Sequence, residues 1–192
     1  GKGCFPWQDK DTDDAVITDS SAPPPPPPSE EYYLGLKPLP REQYDLIPMI
    51  APLGGGIQGL PAAYDISSNM PTPGNQGRQS SCVAWAVAYA LKSYQEQSER
   101  TWGLNTNSHK FSPAYIYNQI NFGQDRGSFV TDAINIITEQ GCATLATMPY
   151  NQNDYLTQPP PAAIAEAANY KCVLYRTVNI MDRTEIKGFL YS

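Results

Sequence analysis

The sequence is poor in charge, in histidine and in long apolar runs, and these shortages exclude several classes of protein. Charged residues make up 17% of the 192 residues and the formal net charge is -6. This balance argues against a nucleic-acid binder, because such a protein needs a basic face. No run of about 18 apolar residues occurs, so no transmembrane helix is predicted. Four cysteines are too few for a disulfide scaffold of this length. No metal or cofactor is predicted.

Proline and acidity are concentrated in the first third of the chain. Of the 19 prolines, 12 lie in residues 1–61, and residues 1–60 hold 9 acidic against 4 basic side chains. Residues 61–192 hold 10 acidic and 9 basic side chains. The hydrophobic content of the whole chain, 41%, is enough for one core. We therefore predict a tether over 1–28, a connecting segment over 29–60 and a domain over 61–192.

The tether combines an acidic cluster with a rod of six prolines. Aspartates alternate from Asp9 as in a calcium loop, but Asp14 stands where such a loop needs glycine and Ser20 stands where it needs glutamate. A solvated acidic spacer followed by polyproline II is the favoured interpretation. Cys4 is either a lipid attachment site, as in bacterial lipoproteins, or an ordinary cysteine. These features predict a protein that is secreted or held in the cell envelope.

The connecting segment contains short apolar stretches and a glycine joint. Residues 32–36 are compatible with a short strand or a packed loop. Pro40 is in a position to open a helix that continues to Pro48. Three glycines follow at 54–56. This arrangement predicts a hairpin or helix that docks back onto the next domain.

From Ser81 onward the apolar period becomes helical. Apolar residues recur at i, i+3, i+4 and i+7 between 83 and 94, which predicts a buried central helix over about 82–97. Ser112 and Pro113 predict the cap and first residue of a second helix. Ser128 is the expected cap of a third helix, which ends before Gly141. The other expected elements are a helix over 162–169, a strand over 172–180 and a last helix from Asp182 or Thr184.

One stretch of the sequence carries chemistry, the loop and helix start at residues 75–86. It reads Asn-Gln-Gly-Arg-Gln-Ser-Ser-Cys-Val-Ala-Trp-Ala, so Cys82 begins the central helix. The first-turn amides and the positive end of the helix dipole stabilise a thiolate, which is a nucleophile near neutral pH. The same amides can donate to a developing oxyanion, and the side chain of Gln76 is a possible second donor. A lone cysteine at a helix start is more often structural, so this position alone leaves both interpretations open.

The wider pattern resembles the papain-like cysteine peptidases. The residues that carry the resemblance are Asn75-Gln76-Gly77, Ser80-Ser81-Cys82, Trp85, Tyr64-Asp65, Phe111-Ser112-Pro113, Arg126-Gly127-Ser128, Gly141-Cys142 and Met148-Pro149-Tyr150. The resemblance covers about 60–192 and is closest to bacterial members. It implies an α+β, papain-like fold, of which this sequence holds mainly the helical half, after a proline-rich tether and a pro-segment.

The resemblance also implies roles for individual residues. Cys82 would be the nucleophile that forms a thioester, and Gln76 would be the oxyanion donor. Gly127 would support a backbone strip that pairs with an extended peptide or protein substrate. The substrate-binding residues implied are Gly127, Arg126, Ser80 and Ser81. Residues 29–60 would be an inhibitory pro-segment in cis, as in a zymogen, and we expect them to pack near Cys82 or over a partner half.

Several positions depart from the pattern of this family. Val83 replaces the usual tryptophan after the nucleophile. Gln79 stands where many members have a disulfide cysteine, no cysteine lies near Gly127, and Arg126 replaces a common glycine. The two usual disulfides of this half are therefore absent. Cys142 and Cys172 either pair with each other or stay free.

The largest departure concerns histidine. A papain-type site needs a histidine base and an asparagine or aspartate that orients it, roughly 130–150 residues after the cysteine. The only histidine, His109, follows Cys82 by 27 residues, in a region that lies on the surface of the helical half in this family. We therefore reject it as the base. We expect a missing C-terminal half that carries histidine and asparagine, and little or no peptidase activity from this chain alone.

Two alternative functions use the same features. A different thiol acyl-transfer enzyme, such as a cell-wall amidase or a transglutaminase, would share the cysteine at a helix start. A catalytically inactive papain-like module would keep only the peptide-binding groove. The Asn75-Gln76-Gly77 sequence favours a peptidase over another thiol enzyme, and the presence of both Cys82 and Gln76 speaks mildly against an inactive module.

Overall fold

A computed structural model describes residues 35–51 and 59–191 of the chain. The chain divides into two units, residues 1–30 and 31–192. The first unit lies outside the described residues, as do the predicted acidic tether, the polyproline stretch and Cys4. The described part belongs to the second unit.

The described residues form short helices around one longer central helix. The central helix comprises α2 (Cys82–Ala84), a π-helical stretch (Trp85–Lys92) and α3 (Ser93–Arg100) without interruption. The other α-helices are α1 (Arg41–Tyr44), α4 (Pro113–Ile120), α5 (Val130–Glu139), α6 (Pro161–Ala167) and α7 (Arg183–Tyr191). Single 3-10 turns occur at Ser67–Asn69 and Asn107–His109.

The core forms where the central helix packs against α4 and α5. Ala84 and Ala88 are fully buried on the central helix, and their small side chains allow close approach of the neighbouring helices. Tyr115 and Ile116 of α4 and Ile137 of α5 complete this interface with at most 1% exposure. Each buried side chain of this size stabilises the fold by roughly 1.5–3 kcal/mol. The start of the central helix is thereby fixed on a rigid base.

The π-helical stretch changes which side chains of the central helix face inward. Leu91, which the helical period places on the buried side, is 49% exposed, whereas Lys92 is fully buried. A π-helix takes more residues per turn than an α-helix, so the face that points to the core shifts along the sequence. The buried ammonium of Lys92 lies 2.6 Å from the carboxylate of Glu96, which also pairs with Arg100. This neighbouring carboxylate is what permits a charge at this depth.

The expected helices are confirmed, with corrections at the ends of three of them. Ser112 caps α4 as predicted, since its side chain accepts a hydrogen bond from the amide of Tyr115, and Pro113 is the first residue. Ser128 does not cap α5. Phe129 occupies the cap position without a side-chain bond, because Ser128 is extended and bridges Leu36 instead. The central helix runs three residues beyond the expected end, and α6 begins one residue earlier than expected.

The predicted strand over 172–180 is wrong for this structure. Within residues 35–51 and 59–191, β-structure consists of three isolated bridges, one of which joins Thr177 to Met49. Val173 is 94% exposed and Leu174 is 56% exposed, so the apolar pattern of this segment faces no partner strand in the described part. The fold observed is therefore mainly helical, and the β component of the predicted α+β class is not confirmed.

The described part of the connecting segment lies against the domain. Its helix α1 has only four residues, shorter than the sequence predicts, and begins after Pro40 as expected. Leu36 forms a parallel bridge with Ser128, and Met49 forms the bridge with Thr177. The two ends of residues 35–51 are thus hydrogen-bonded to two separate parts of the domain.

Candidate active site

The loop before Cys82 is held by a tight turn that only glycine can make easily. Gly77 has φ +61°, and its amide donates 2.8 Å to the side chain of Asn75. A methyl group on Gly77 would overlap the side chain of Gln152, which accepts a 3.0 Å bond from the amide of Arg78. The left-handed conformation and the close neighbour explain why glycine stands in the Asn-Gln-Gly sequence.

Cys82 is the first residue of the central helix, as predicted. Its side chain is half-buried and packs against the core. Ser81 is the cap residue, but its side chain makes no capping bond to the first turn. The Ser81 hydroxyl instead lies 2.8 Å from the hydroxyl of Tyr150. The sulfur is therefore attached at the positive end of the helix, where a thiolate or an oxyanion is stabilised.

Tyr150 connects two residues of the loop before Cys82, Gln76 and Ser81. Its hydroxyl donates 2.8 Å to the carbonyl oxygen of Gln76 and lies at the same distance from the Ser81 hydroxyl. Burial raises the pKa of this phenol, so it remains a donor at neutral pH. The side-chain amide of Gln76 donates 3.0 Å to the carbonyl of Gln79. One phenol thus orients both the candidate oxyanion donor and the residue before Cys82.

Aromatic rings support this arrangement from the helix side. The ring of Trp85 packs edge-on against the ring of Tyr150, with centroids 5.0 Å apart. It also packs at a tilt against the ring of Tyr89, with centroids 4.8 Å apart. The Tyr89 hydroxyl donates 2.7 Å to the carbonyl of Thr72. A side chain on Gly74 would overlap the Trp85 ring. These contacts fix the incoming chain over the first turns of the central helix.

Asp125 links the loop before Cys82 to the predicted substrate strip. Its carboxylate accepts 2.8 Å from the amide of Ser80 and 2.6 Å from the hydroxyl of Tyr117. The Tyr117 oxygen in turn accepts 3.3 Å from the amide of Gly127. Burial raises the pKa of the Tyr117 phenol well above its usual range, so it stays protonated as a donor to Asp125. This chain of bonds joins the loop before Cys82 to the strip at Gly127.

Gln79 provides a second polar connection of the loop before Cys82, this time to residues 151–154. Its side-chain amide donates to the carbonyls of Asn151, Gln152 and Asp154, each at 3.4 Å, and the side chain is 1% exposed. A buried amide that reaches three carbonyls connects the loop before Cys82 to the loop after Tyr150. The residue that replaces a cysteine of the family pattern therefore has a structural role of its own.

Among the predicted substrate-binding residues, Gly127 is buried with φ +75° and Arg126 is exposed. Ser80 and Ser81 are buried, with their hydroxyls bonded to Asp125 and Tyr150 respectively. The structure thus brings the loop of Cys82 and the strip at Gly127 into one region. In this structure the Ser80 hydroxyl binds backbone and the Ser81 hydroxyl binds a side chain, and the contact of either serine with substrate stays a prediction.

The predicted strip carries a backbone partner from the connecting segment. The amide of Ser128 donates 2.8 Å to the carbonyl of Gly35, and the amide of Lys37 donates 3.0 Å to the carbonyl of Ser128. A methyl group on Gly35 would overlap the carbonyl oxygen of Ser80, and one on Gly127 would overlap the carbonyl of Gly35. The two backbones are therefore in direct contact beside the loop that leads to Cys82.

His109 is involved in a different set of contacts. Its ring stacks on Trp102 with centroids 4.3 Å apart and an interplanar angle of 7°. Its Nδ1 lies 2.7 Å from the carbonyl of Gly103. These local contacts account for the residue and fit its rejection as a base.

Both remaining described cysteines are free thiols, which resolves the pairing that the sequence leaves open. Cys142 is fully buried, and burial raises the pKa of its thiol well above the usual range. Cys172 is half-buried, its sulfur lies 2.9 Å from the side-chain oxygen of Gln95, and burial also raises its pKa. Both thiols are thus less ionised at neutral pH than an ordinary cysteine.

Sequence analysis did not identify Asp125, Tyr117 or Tyr150 as site residues. Tyr150 ends the stretch Met148-Pro149-Tyr150, which carries the resemblance, and Asp125 directly precedes the stretch that begins at Arg126. Their roles arise from contacts across 45 residues (Ser80 with Asp125) and 74 residues (Gln76 with Tyr150), which no local pattern encodes.

The fold is that of papain-like cysteine proteases. The chain is similar to the crystal structure of xylellain, a cysteine protease from Xylella fastidiosa, with a TM-score of 0.61 and 19% identity over 84% of this chain. It is also similar to a structure from a study of the mite allergens Blo t 1 and Der p 1, with a TM-score of 0.55 and 17% identity over 74% of this chain. The chain spans 65% of the length of the first and 46% of the second. No protein-family model and no curated protein matches the chain.

Proposed function

We propose that this chain is the helical half of a cysteine-type peptidase in which Cys82 is the nucleophile. The observation that carries the proposal is the position of Cys82 at the start of the central helix, next to a loop that Asp125 ties to the strip at Gly127. This arrangement brings a helix-start thiol and a strip for backbone pairing into one region. A nucleophilic thiol and a strip that holds an extended peptide are together suited to the hydrolysis of a peptide bond through a thioester.

In the proposed reaction the Cys82 thiolate attacks the carbonyl carbon of an extended peptide. The negative oxygen that forms accepts hydrogen bonds from first-turn amides and from the side-chain amide of Gln76, which turns away from the carbonyl of Gln79. Collapse of this intermediate releases the amine and leaves a thioester on Cys82. Water then attacks the thioester and releases the acid.

The leaving amine needs a proton, and the chain holds only one histidine, which stacks on Trp102. We therefore place the histidine base and its asparagine in a second half that packs against this one. Several apolar side chains of the described part are exposed and suit such a contact. They are Val173, Leu174, Ile180 and Met181, with exposures from 56% to 94%.

The segment over 29–60 is proposed as a pro-segment that inhibits in cis. Its described residues Gly35 and Lys37 already form backbone bonds with Ser128, where a substrate backbone would pair. Removal of the segment would expose this strip. The expectation that the segment packs near Cys82 is supported by the close approach of Gly35 to Ser80.

Secretion or attachment to the cell envelope, with a lipid on Cys4, remains a proposal that follows from the tether. The described residues contain no helix that is long and apolar enough to cross a membrane. A bacterial origin is likewise a proposal, drawn from the resemblance alone.

One observation favours a second function, a peptide-binding module without catalysis. The strip at Gly127 and Ser128 binds a segment of its own chain through backbone hydrogen bonds. A module of this kind would hold an extended peptide on the strip without cleaving it. The two functions differ in whether Cys82 accepts an acyl group.

Acyl transfer from a peptide thioester tests the nucleophile without requiring the missing base. A thioester releases a thiolate that needs no proton, so the Cys82 thiolate can displace it directly and become acylated. We expect mass spectrometry of the intact chain, with Cys4→Ser to remove that thiol, to locate the acyl group on Cys82. Cys82→Ala should abolish acylation, and the matched control Cys172→Ala should leave it unchanged. Equal acylation of Cys82 and Cys172 would contradict the proposed function.

A further inference from the structure

The strip at Gly127 is followed at once by an aromatic ring and a carboxylate on the same side of a helix start. Phe129 is the cap residue of α5 and Asp132 lies in its first turn, three residues later. Residues at this spacing are neighbours on a helix surface. Both side chains are half-buried. The end of the strip therefore presents an aromatic ring together with a negative group.

The connecting segment places a cation, the ammonium of Lys37, beside Phe129. The Lys37 ammonium lies over the Phe129 ring, 5.9 Å from its centroid, while the Lys37 amide bonds to Ser128. The charge of Lys37 also opposes the effect of burial, which raises the pKa of Asp132. The side chain of Lys37 is itself half-buried, so this is a seated side chain and not one that extends into solvent.

The register of the segment explains why this residue faces the ring. Side chains alternate between the two sides of extended backbone, so residues 35 and 37 share one side and Leu36 faces the other. Gly35 lies against Ser80 and Gly127 on the inner side, and Leu36 is 59% exposed. An extended peptide on this strip thus meets a narrow position at Gly127 and a cation-binding position two residues away.

The carboxylate of Asp132 is not committed to another partner at short range. Within the described ranges, the ion pairs shorter than 4.0 Å are Arg41 with Asp45, and Glu96 with both Lys92 and Arg100. Asp125, the other acidic residue near the strip, is engaged by Ser80 and Tyr117. Asp132 is therefore the carboxylate that remains for a charge brought by a bound peptide.

We infer that Phe129 and Asp132 form a subsite that recognises the basic side chain of an extended peptide bound on the 127–128 strip. This inference rests on the proposed function for its substrate and names the class of that substrate: peptides with lysine or arginine at the position that Lys37 fills. Cation–π attraction to Phe129 and Coulomb attraction to Asp132 together select the charge. In the chain itself, Lys37 occupies the subsite and helps to hold the segment on the strip.

Hydrogen exchange of the Ser128 amide in the full chain tests the subsite without any catalysis. This amide is bonded to Gly35 only while the segment is in place. We expect Lys37→Met to lower its protection about fivefold, and Lys37→Arg to retain it. Asp132→Asn should lower protection less, and the double variant should fall no further than Lys37→Met alone. Lys187→Met and Glu139→Gln, at exposed sites, are the matched charge controls.

Acyl transfer to Cys82 provides the second measurement. In the Gly35→Ala chain, whose segment should leave the strip free, we expect a peptide thioester with lysine at the best of four tested positions to react about fivefold faster than its norleucine counterpart. Asp132→Asn in the same chain should reduce this preference. If no thioester acylates Cys82, the proposed function fails. Hydrogen exchange of the Ser128 amide in the single and double variants then still tests the subsite. Unchanged protection in Lys37→Met, or fully additive losses in the double variant, would overturn the inference.

Discussion

The carboxylate of Asp125 accepts a 2.8 Å hydrogen bond from the backbone amide of Ser80, across 45 residues of chain. Ser80 lies two residues before Cys82, and Asp125 lies two residues before Gly127. The bond therefore fixes the distance between the candidate nucleophile and the strip on which a peptide would pair.

Loss of the Asp125 carboxylate should destabilise the fold and separate these two loops. Asp125→Ala leaves the Ser80 amide and the Tyr117 hydroxyl without their acceptor, which should lower the free energy of unfolding by about 2–4 kcal/mol. Asp125→Asn keeps one oxygen and should cost about 1 kcal/mol. Urea unfolding measures both. The control is Asp45→Ala, which removes an exposed ion pair with Arg41 and should have little effect. Equal stability of the Asp125 and Asp45 variants would contradict the assigned role.

Tyr150→Phe should impair the site more than the fold. The change removes only the hydroxyl that binds Gln76 and Ser81, and it should lower the free energy of unfolding by about 1–2 kcal/mol. Because Gln76 would lose its orientation, acyl transfer to Cys82 should slow about tenfold or more. Tyr175→Phe, which removes one exposed hydroxyl bond to Asn135, is the matched control and should change neither quantity. A Tyr150→Phe variant with unaltered acylation would exclude Tyr150 as a positioning residue.

Gly35→Ala should release the connecting segment from the strip. The added methyl group would overlap the backbone carbonyl of Ser80, which cannot move aside as a flexible side chain can. We expect faster hydrogen exchange at the Ser128 amide and faster acylation of Cys82. Gly103→Ala tests the effect of alanine alone, since its nearest neighbour would be 3.5 Å from the new carbon. If both variants resemble the unmodified chain, the segment does not limit access to the strip.

The stability of the protein should fall at alkaline pH. Burial raises the pKa of the Cys142 and Cys172 thiols and of the Tyr117 phenol in the folded state. Above about pH 8.5 the unfolded chain loses thiol protons that the folded chain retains, so the free energy of unfolding decreases as pH rises. The stabilisation is complete below that pH. We expect Cys142→Ala to halve the slope between about pH 8.5 and 10 in urea unfolding under reducing conditions. An unchanged slope would show that Cys142 ionises equally in both states.

Elements that depend on local rules could be predicted from the sequence. The Ser112 cap and the following proline set the start of α4, and the apolar period set the start of the central helix at Cys82. The strand expected over 172–180 did not form, because a strand needs a neighbour and the described residues offer it only the bridge at Met49. Local propensity cannot supply a partner strand.

Parts of the candidate site that depend on distant contacts could not be predicted. Cys82, Gln76 and Gly127 were identified from motifs, whereas Asp125 and Tyr150 act through residues far away in the sequence. Serine is a common helix cap, so Ser128 is expected to cap α5. Its backbone instead pairs with residues 35 and 37, and α5 begins one residue later than it would after a cap at Ser128. The burial of Lys92 follows from the π-helical stretch. The apolar period of the sequence does not predict this stretch.

The assignment of Cys82 as the nucleophile is tested most sharply by alkylation with iodoacetamide. Mass spectrometry measures the rate at which each cysteine reacts between pH 5 and 10. Cys82 is half-buried at a helix start, whereas burial raises the pKa of Cys142 and Cys172. We predict that Cys82 is alkylated fastest at neutral pH, that Cys172 follows, and that Cys142 reacts only on unfolding. Equal rates for the three thiols would contradict the assignment of Cys82 as the activated nucleophile.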